Sequence, residues 1–488
     1  MLLTIDIGTS NFKAAIWEFS GKCLGYAAVP LPECRSFENN HEISPSVWLS
    51  AFESCVCFLA KNNNCNLSAV DAIVISGNGP TLVPVLGKAL FDNGKLYVDT
   101  KDARLWLDRK RYEKYQVDVF NAVGYSVDAA FFLPKILGIK NDEIELYHKV
   151  KYFLGCPEFL AYALTGSAKT VIPGDGFDRW FWDDSVLQTL NLNPKKFPSF
   201  IRPGDIFGNL LLQIGRYFGF KKNIPVISGG PDFFAAILGA GVTKPGQVCC
   251  RTGSSDGINL CTKKFVEDNR LMSYGHPILP YYNLSGVINT TGLAAKWGYK
   301  FLGLEGFELP PYNLFSEIAK KSKPGSGGVI FNPNLAGGRG HSSGGGSWSG
   351  INLNSNRNDF ANSIFEGIGF ATRKIIKTME ENKVKVSELR VTGGFADDEY
   401  LNQIKADITG RVIHIPKYKE AELLGLAIIG SVSLGKYKSY SRCSSAFVRI
   451  EKSYEPNPEY KNMYDELYIN YCSFTDVRKL IFNNMYVS

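Results

Sequence analysis

Short apolar runs alternate with longer amphipathic stretches through both halves of the chain, a rhythm that predicts α/β architecture. The first run, TIDIGTSNFKAAIWEF (Thr4 to Phe19), predicts two strands joined by a Gly-Thr-Ser-Asn turn. QVCCRTGSSDGINLCT (Gln247 to Thr262) repeats strand, Gly-Ser turn and strand, with RTGSSD standing where the first has DIGTSN. Two such hairpins, each near the start of a half, predict a duplicated domain with a cleft between the copies. Gly and Pro cluster in GAGVTKPGQV (Gly239 to Val248), which sets the domains at 1–243 and 244–488.

Between and beyond the hairpins the pattern is equally direct. IPVISGGPDFFAAILGAG (Ile224 to Gly241) is an apolar strand, a glycine turn and a small-residue helix. Asp359 to Glu380 puts Phe360, Ile364, Ile368, Ile375 and Met379 near one helical face. LRVTGGFA (389–396) reads as a strand ending in a glycine turn. GGRGHSSGGGSWSG (Gly337 to Gly350) is too rich in glycine for a regular element and reads as a loop. The tail YEPNPEYKNMYDELYINYCSF alternates charge and aromatics at helical spacing, as a C-terminal helix on the second half would.

Composition narrows the class. A chain of 488 residues exceeds one compact core, and 45% apolar with 21% charged residues is ordinary for a globular protein. No apolar run reaches the roughly 18 residues of a membrane span, and MLLTIDIG lacks the basic start of a signal peptide. A cytoplasmic protein beginning near Met1 is expected. Eleven scattered cysteines without a CxxC pair read as free thiols, and five separated histidines offer no zinc-like cluster. The net charge of +7 is dispersed, with no basic stripe interleaved with aromatics, so nucleic acid is not an expected partner.

The chemistry begins with what the hairpins carry. No GxxxxGK[ST] loop occurs, so nucleotide would be held in another way. In Asp6-Ile-Gly-Thr-Ser-Asn-Phe-Lys13, Gly8 lets backbone turn closely around an anion, Thr9 and Ser10 offer donors, and Lys13 offers charge. Asp6 could hold Mg²⁺ through its water shell. A tight hairpin with an incidental lysine accounts for the same residues. Asp232, at a strand end and before a helix, suits a general base, and it suits a plain N-cap as well. Gly393-Gly394-Phe395 could form a platform for a flat ring, although many strand-to-helix turns contain two glycines.

Taken in order, these pieces resemble the FGGY family of carbohydrate kinases, in its xylulose kinase-like branch by overall pattern. Asp6 to Lys13 resembles the family's DIGTTSxK motif, and Gly253-Ser254-Ser255 its second phosphate hairpin. GGPDFFAAILGAGVTKPGQ resembles the stretch with the catalytic aspartate, and VTGGFADDEYLNQIKADITGRVI the adenosine segment, with Gly393, Gly394, Gln403 and Asp407 in register. GSWSGINLNSNRNDFANSIFE (Gly346 to Glu366), LTG at 164–166, RPGDIFG at 202–208 and the tail also match. The resemblance implies two duplicated actin- and hexokinase-like (ribonuclease H-like) domains with ATP and sugar meeting in the cleft between them. It implies Mg-ATP as phosphoryl donor and a sugar or polyol as acceptor. Asp232 would be general base and, with Asp6, metal-associated; Gly8, Thr9, Ser10, Lys13, Gly253, Ser254, Ser255, Gly393, Gly394, Phe395 and Gln403 would hold nucleotide. A homodimer is compatible with such kinases.

The acceptor side departs from the family. Ser76-Gly77-Asn78-Gly79-Pro80 lacks the Met-His of xylulose kinases and the Arg-Glu of glycerol kinases. Thr100-Lys101-Asp102-Ala103-Arg104 keeps the acid and arginine of W-x-D-x-R without its aromatic. Gly138 stands where tryptophan is common after Pro134-Lys135, and Gly338-Arg339 replaces Glu-Arg. Asn78, Gly79, Asp102 and Arg104, with Asp232, are the expected acceptor binders, each of the first four with a solvated-loop reading beside it. The resemblance implies an acceptor that is a ketose such as xylulose, or a related pentose, polyol or sugar acid. Two other classes fit less of the pattern: a catalytically weak nucleotide- or sugar-binding sensor, and an actin-like ATPase without a sugar.

Overall fold

The computed structural model describes residues 1–33, 35–37, 40–62, 64–177, 180–304, 311–335 and 345–485. The chain forms two compact units. The first holds Met1–Gly239, Tyr274–Ile278 and Ala421–Phe447, and the second holds Ala240–Ser273, Leu279–Glu420 and Val448–Ser488. The segment 421–447, assigned by sequence to the second domain, therefore belongs to the first unit. Its helix is apolar on every side and is buried within that unit, which a linear boundary cannot register. Five helices are used below: α1 (Asp232–Gly239), α2 (Arg357–Glu381), α3 (Glu399–Thr409), α4 (Ala421–Ser433) and α5 (Lys461–Met485).

The first unit is built on a six-stranded sheet. Its strands are β1 (Leu2–Ile7), β2 (Asn11–Trp17), β3 (Cys23–Pro30), β4 (Ala72–Gly77), β5 (Ile206–Asn209) and β6 (Pro225–Pro231). They lie in the order β5-β6-β4-β1-β2-β3, with β1, β4 and β6 parallel and the others antiparallel to their neighbours. Leu3, Ile5 and Ile7 pack into one core with Trp48, Phe52 and Val56 of the helix Ser46–Ala60. Across the sheet, Gly430 of α4 lies so close to Val74 and Leu2 that a methyl group there would meet Val74 Cγ2 at 2.6 Å. The central strands are thus covered on both faces, which explains their continuous apolar runs.

The second unit repeats the plan. Six strands of its seven-stranded sheet are β7 (Gln247–Thr252), β8 (Asp256–Thr262), β9 (Tyr282–Ile288), β10 (Glu388–Gly393), β11 (Val412–Pro416) and β12 (Ile450–Tyr454). They follow the order β9-β8-β7-β10-β11-β12, with β7, β10 and β11 parallel. Hairpin, third antiparallel strand, two parallel strands and an antiparallel edge therefore occur in both units, as the paired Gly-Ser turns predict. The edge strand differs in origin: β5 precedes its neighbour in the chain, whereas β12 follows its own.

The predicted helices are present. α2 starts at a capping box in which Asn356 accepts from the Asn358 N–H and Asp359 accepts from the Asn356 N–H. Ile364, Ile368 and Met379 are buried as the periodicity requires. α5 lays Tyr464 and Tyr471 into the core of the second unit. The loop expected at 337–350 lies outside the described residues in part. Its end departs from the expectation, because Ser347–Ser349 pairs as a strand with Ile330–Asn332, seating Trp348 on Phe331. Among the described residues the cysteines are free, and no helix is long and apolar enough to cross a membrane.

One contact in the first unit admits only glycine. A Cβ on Gly425 of α4 would collide with the carbonyl of Ala235 in α1, and one on Gly239 with that of Ala421. Gly425→Ala is expected to cost about 3 kcal/mol through overpacking, read from urea midpoints. A midpoint equal to that of the unsubstituted protein would refute the backbone-to-backbone fit.

A buried acid organises the second unit. Glu366 accepts from the Gly325 N–H (2.7 Å), Ser326 Oγ (2.6 Å) and Tyr464 OH (3.0 Å). Burial raises its pKa from 4.5 to about 7, against the pull of these donors. The folded chain then holds the proton more tightly than the unfolded chain, so the group's contribution falls as pH rises through that window. Relative to Glu366→Gln, the unsubstituted protein should lose on the order of 3 kcal/mol between pH 4.5 and about 7. Paired urea titrations at pH 5 and pH 8 measure this. A stability gap that moves the other way would reject the burial account.

Candidate active site

The carboxyl ends of β1, β4 and β6 meet at one edge of the first sheet. Strand register sets Asp6 beside Ser76, Ile7 beside Gly77, and Gly77 beside Pro231, the residue before Asp232. Ser76 Oγ donates to Asp6 Oδ1 at 2.9 Å, and Lys13 stands across the hairpin from Asp6. The hairpin turns through Gly8, whose N–H bonds Asn11 O at 3.0 Å, and a Cβ on Gly8 would sit 2.9 Å from that oxygen. Thr9 and Ser10 are exposed at its tip.

Asp232 opens α1, and the Phe233 N–H donates to its Oδ1 at 2.6 Å. Burial first, then the Glu422 and Asp232 carboxylates, push the Asp6 carboxyl from 3.8 up to about 7, while Lys13 and Ser76 oppose them. Glu422 was not anticipated. It lies in the first turn of α4, and the only hint in AELLGLAIIG is one acid opening an otherwise apolar helix.

Asp6, acted on by the Asp232 and Glu422 carboxylates and answered by Lys13, centres a donor set suited to a hard divalent cation. Among the described residues no three His, Cys, Asp or Glu side chains are close enough to ligate an ion together directly. The set therefore fits an ion that keeps most of its water, as Mg²⁺ does.

The second unit holds a corresponding edge. Gly253 and Ser254 are exposed at the β7–β8 turn and Ser255 is half-buried. Behind them Asp256 is fully buried and bonded to Lys405 Nζ (2.8 Å) and Thr291 Oγ1 (2.7 Å), which fixes the turn's base. Register sets Gly393 beside Thr252, and the Gly394 N–H donates to Thr252 O at 3.1 Å, so the two glycine turns adjoin. Gly393 has φ +85°, and a Cβ there would collide with Thr252 O. Gly394 is exposed with open space beside it. Phe395 does not offer its ring as a platform, because the ring is buried in the core. Gln403, on α3, donates to Asp407 Oδ1 and Glu455 O, both at 2.8 Å, and so links α3 to the chain after β12.

The expected acceptor binders divide. Asn78 is buried; its Nδ2 donates to Ile7 O (2.9 Å) and Gly8 O (3.3 Å), and its Oδ1 accepts from Thr81 (2.6 Å). That amide fastens the end of β1 instead of facing a ligand. Arg104 is 4% exposed and shares Glu42 and Glu143 with Arg111 in a four-membered ion network. Asp102 is half-buried and its carbonyl accepts from Arg104 at 3.0 Å. Lys135, fully buried, joins the loops: its Nζ donates to Pro80 O (2.8 Å), Arg104 O (3.2 Å) and Leu105 O (2.7 Å). Burial lowers its pKa from 10.5 to about 7. Gly79 is thus held near Arg104 through this amine, while Gly338 and Arg339 lie outside the described residues.

Comparison with known proteins fits this arrangement. Residues 1–239 match the model of the N-terminal domain, and residues 249–434 that of the C-terminal domain, of the FGGY family of carbohydrate kinases. A xylulose kinase of Staphylococcus epidermidis is 26% identical over 488 residues, covering 96% of this chain and 95% of its own. A gluconate kinase structure from Lactobacillus acidophilus superposes with a TM-score of 0.85 at 20% identity, covering 99% of each chain. A Plasmodium falciparum glycerol kinase solved with ADP superposes at 0.80 with 19% identity, covering 97% of this chain and 98% of that one. At these identities the two structures speak for the fold alone. Two domain models that together match most of the chain carry more: the chain belongs to the FGGY family of carbohydrate kinases, with that family's two-domain, actin-like ATPase fold.

Proposed function

We propose that this sugar kinase transfers the γ-phosphate of ATP to a hydroxyl of a small sugar or polyol, with Asp232 as general base. The observation that carries the reading is the gathering of Asp6, Ser76 and Asp232 at adjoining strand ends, with Lys13 across the hairpin and Glu422, from the first turn of α4, acting on Asp6. Asp232 would take the acceptor's O–H proton as that oxygen bonds to the γ-phosphorus and the bond from phosphorus to the β-phosphate oxygen breaks, releasing ADP. The Phe233 N–H fixes the carboxylate's orientation before the proton arrives. Gly8, Thr9, Ser10 and Lys13 would hold phosphate from the first hairpin, and Gly253, Ser254 and Ser255 from the second. Gly393 and Gly394 would border the adenosine through backbone, and Gln403 would act at one remove by anchoring α3. Asp6 and Asp232 would hold hydrated Mg²⁺, which when bound offsets charge on the phosphoryl oxygens.

The inward-turned Asn78 and Arg104 favour one other reading, a weakly catalytic sensor that binds nucleotide without fast transfer. A single experiment separates the two. Under the kinase reading, Asp232→Asn should lower kcat for the best acceptor by about 10²- to 10⁴-fold while ATP affinity and thermal midpoint stay close to those of the unsubstituted enzyme. Coupled ADP-release and nucleotide titration measure the two parts. Turnover unchanged by the substitution would remove Asp232 from the mechanism.

A further inference from the structure

In the second unit a threonine stands at the start of a helix and does not cap it. Thr291 is the N-cap of the helix Gly292–Phe301, a place where the hydroxyl ordinarily accepts from the helix's own first N–H groups, yet its side chain makes no such bond. Its Oγ1 donates instead to Asp256 Oδ1 at 2.7 Å, with Gly253 O also within reach at 3.3 Å. Asp256 is held in turn by Lys405 Nζ at 2.8 Å, and all three side chains are buried. The N–H groups at the helix start go to the β7–β8 turn. Gly292 donates to Gly253 O at 3.0 Å, while Thr291 and Leu293 donate to Ser254 O at 3.1 and 3.3 Å. A Cβ on Gly292 would collide with Gly253 O, so the helix start lies directly against the turn.

These bonds decide where the other side of the turn points. In a planar trans peptide the N–H lies opposite the C=O. With Gly253 O and Ser254 O both drawn to the helix, the N–H groups of Ser254 and Ser255 point away from it, at a tip where Gly253 and Ser254 are exposed. Successive N–H groups aimed to one side make a concavity suited to an anion. A buried ion pair such as Asp256–Lys405 is a weak source of net stability, but it fixes direction. We infer that Thr291, oriented by the Asp256–Lys405 pair, is a positioning residue that locks the second hairpin with its N–H groups aimed at a phosphate of bound nucleotide. This rests on the phosphate-holding role given to that hairpin above. Lys405 lies on α3 two residues after Gln403, so the same pair ties the phosphate turn to the helix that Gln403 anchors.

The test titrates the full-length enzyme with ADP in the presence of Mg²⁺, and separately with adenosine, by calorimetry. The unsubstituted enzyme should bind ADP at least about 10-fold more tightly than adenosine. Thr291→Val keeps the side chain's shape and removes its hydroxyl. It should weaken ADP about 10-fold and leave adenosine within about 2-fold, and Thr291→Ser should return ADP to within about 2-fold of the unsubstituted enzyme. Asp256→Asn combined with Lys405→Gln removes both charges together; it should show the same selective loss, and it carries the test if Thr291→Val does not fold. ADP affinity unmoved by these substitutions would overturn the inference. So would an equal loss for ADP and adenosine, the mark of a general loosening, or a Thr291→Ser variant as weak as Thr291→Val. Those outcomes leave the Asp232→Asn result, and the kinase reading it tests, standing. An unsubstituted enzyme that binds neither ligand would overturn the inference together with the nucleotide reading on which it rests.

Discussion

Two helices in the first unit meet with no side chain between them, and the acidic edge of the sheet depends on that contact. Gly425 of α4 faces the Ala235 carbonyl, and Gly239 of α1 faces the Ala421 carbonyl. α1 begins at Asp232 and α4 carries Glu422 in its first turn, so the glycine contact sets the spacing of two carboxylates relative to Asp6. Packed cores transmit such displacements instead of absorbing them. A methyl group wedged between the helices would therefore act on the site as well as on stability.

The frame was legible because it rests on local rules. A Cβ on Gly8 would sit 2.9 Å from the Asn11 oxygen of the same turn, which favours glycine there, and φ +85° favours it at Gly393. The Gly-Ser turns at Gly8 and Gly253, set between apolar runs at matching places in each half, predicted a duplicated α/β plan, and both sheets show it. Motif order added the family. The return of 421–447 to the first unit was not legible, since a helix apolar on all sides says that it is buried but not by which neighbours. Glu422 was missed for the same reason: its partners lie at the other end of the chain.

Two of the expected acceptor binders are engaged inside the protein, because sequence records which polar groups are present, not where their hydrogen bonds go. Asn78 and Arg104 look like binders until their partners are counted. Arg104 and Arg111 share Glu42 and Glu143, so each acid answers two cations and the network closes on itself. The glycine at 138 has a similar explanation. The Tyr112 ring fills the space beside it, approaching within 2.5 Å of where a Cβ would sit, so no larger side chain fits there. Phe395 turns its ring into the core, which leaves the backbone of the two glycines before it as the surface on which a flat ring could lie.

The buried charges of the two units are balanced in different ways, and the difference separates scaffold from chemistry. At the base of the second hairpin Asp256 is closed by Lys405 and Thr291, a paired arrangement with nothing left to attract. At the base of the first, Asp6 is pushed to about 7 by burial first and then by two neighbouring acids. Such crowding opposes folding, and a scaffold alone has no use for it. A cation arriving with a nucleotide would offset the crowding, which couples ligand binding to stability in the first unit. The two hairpins share a backbone plan, and the charge behind each turn sets them apart.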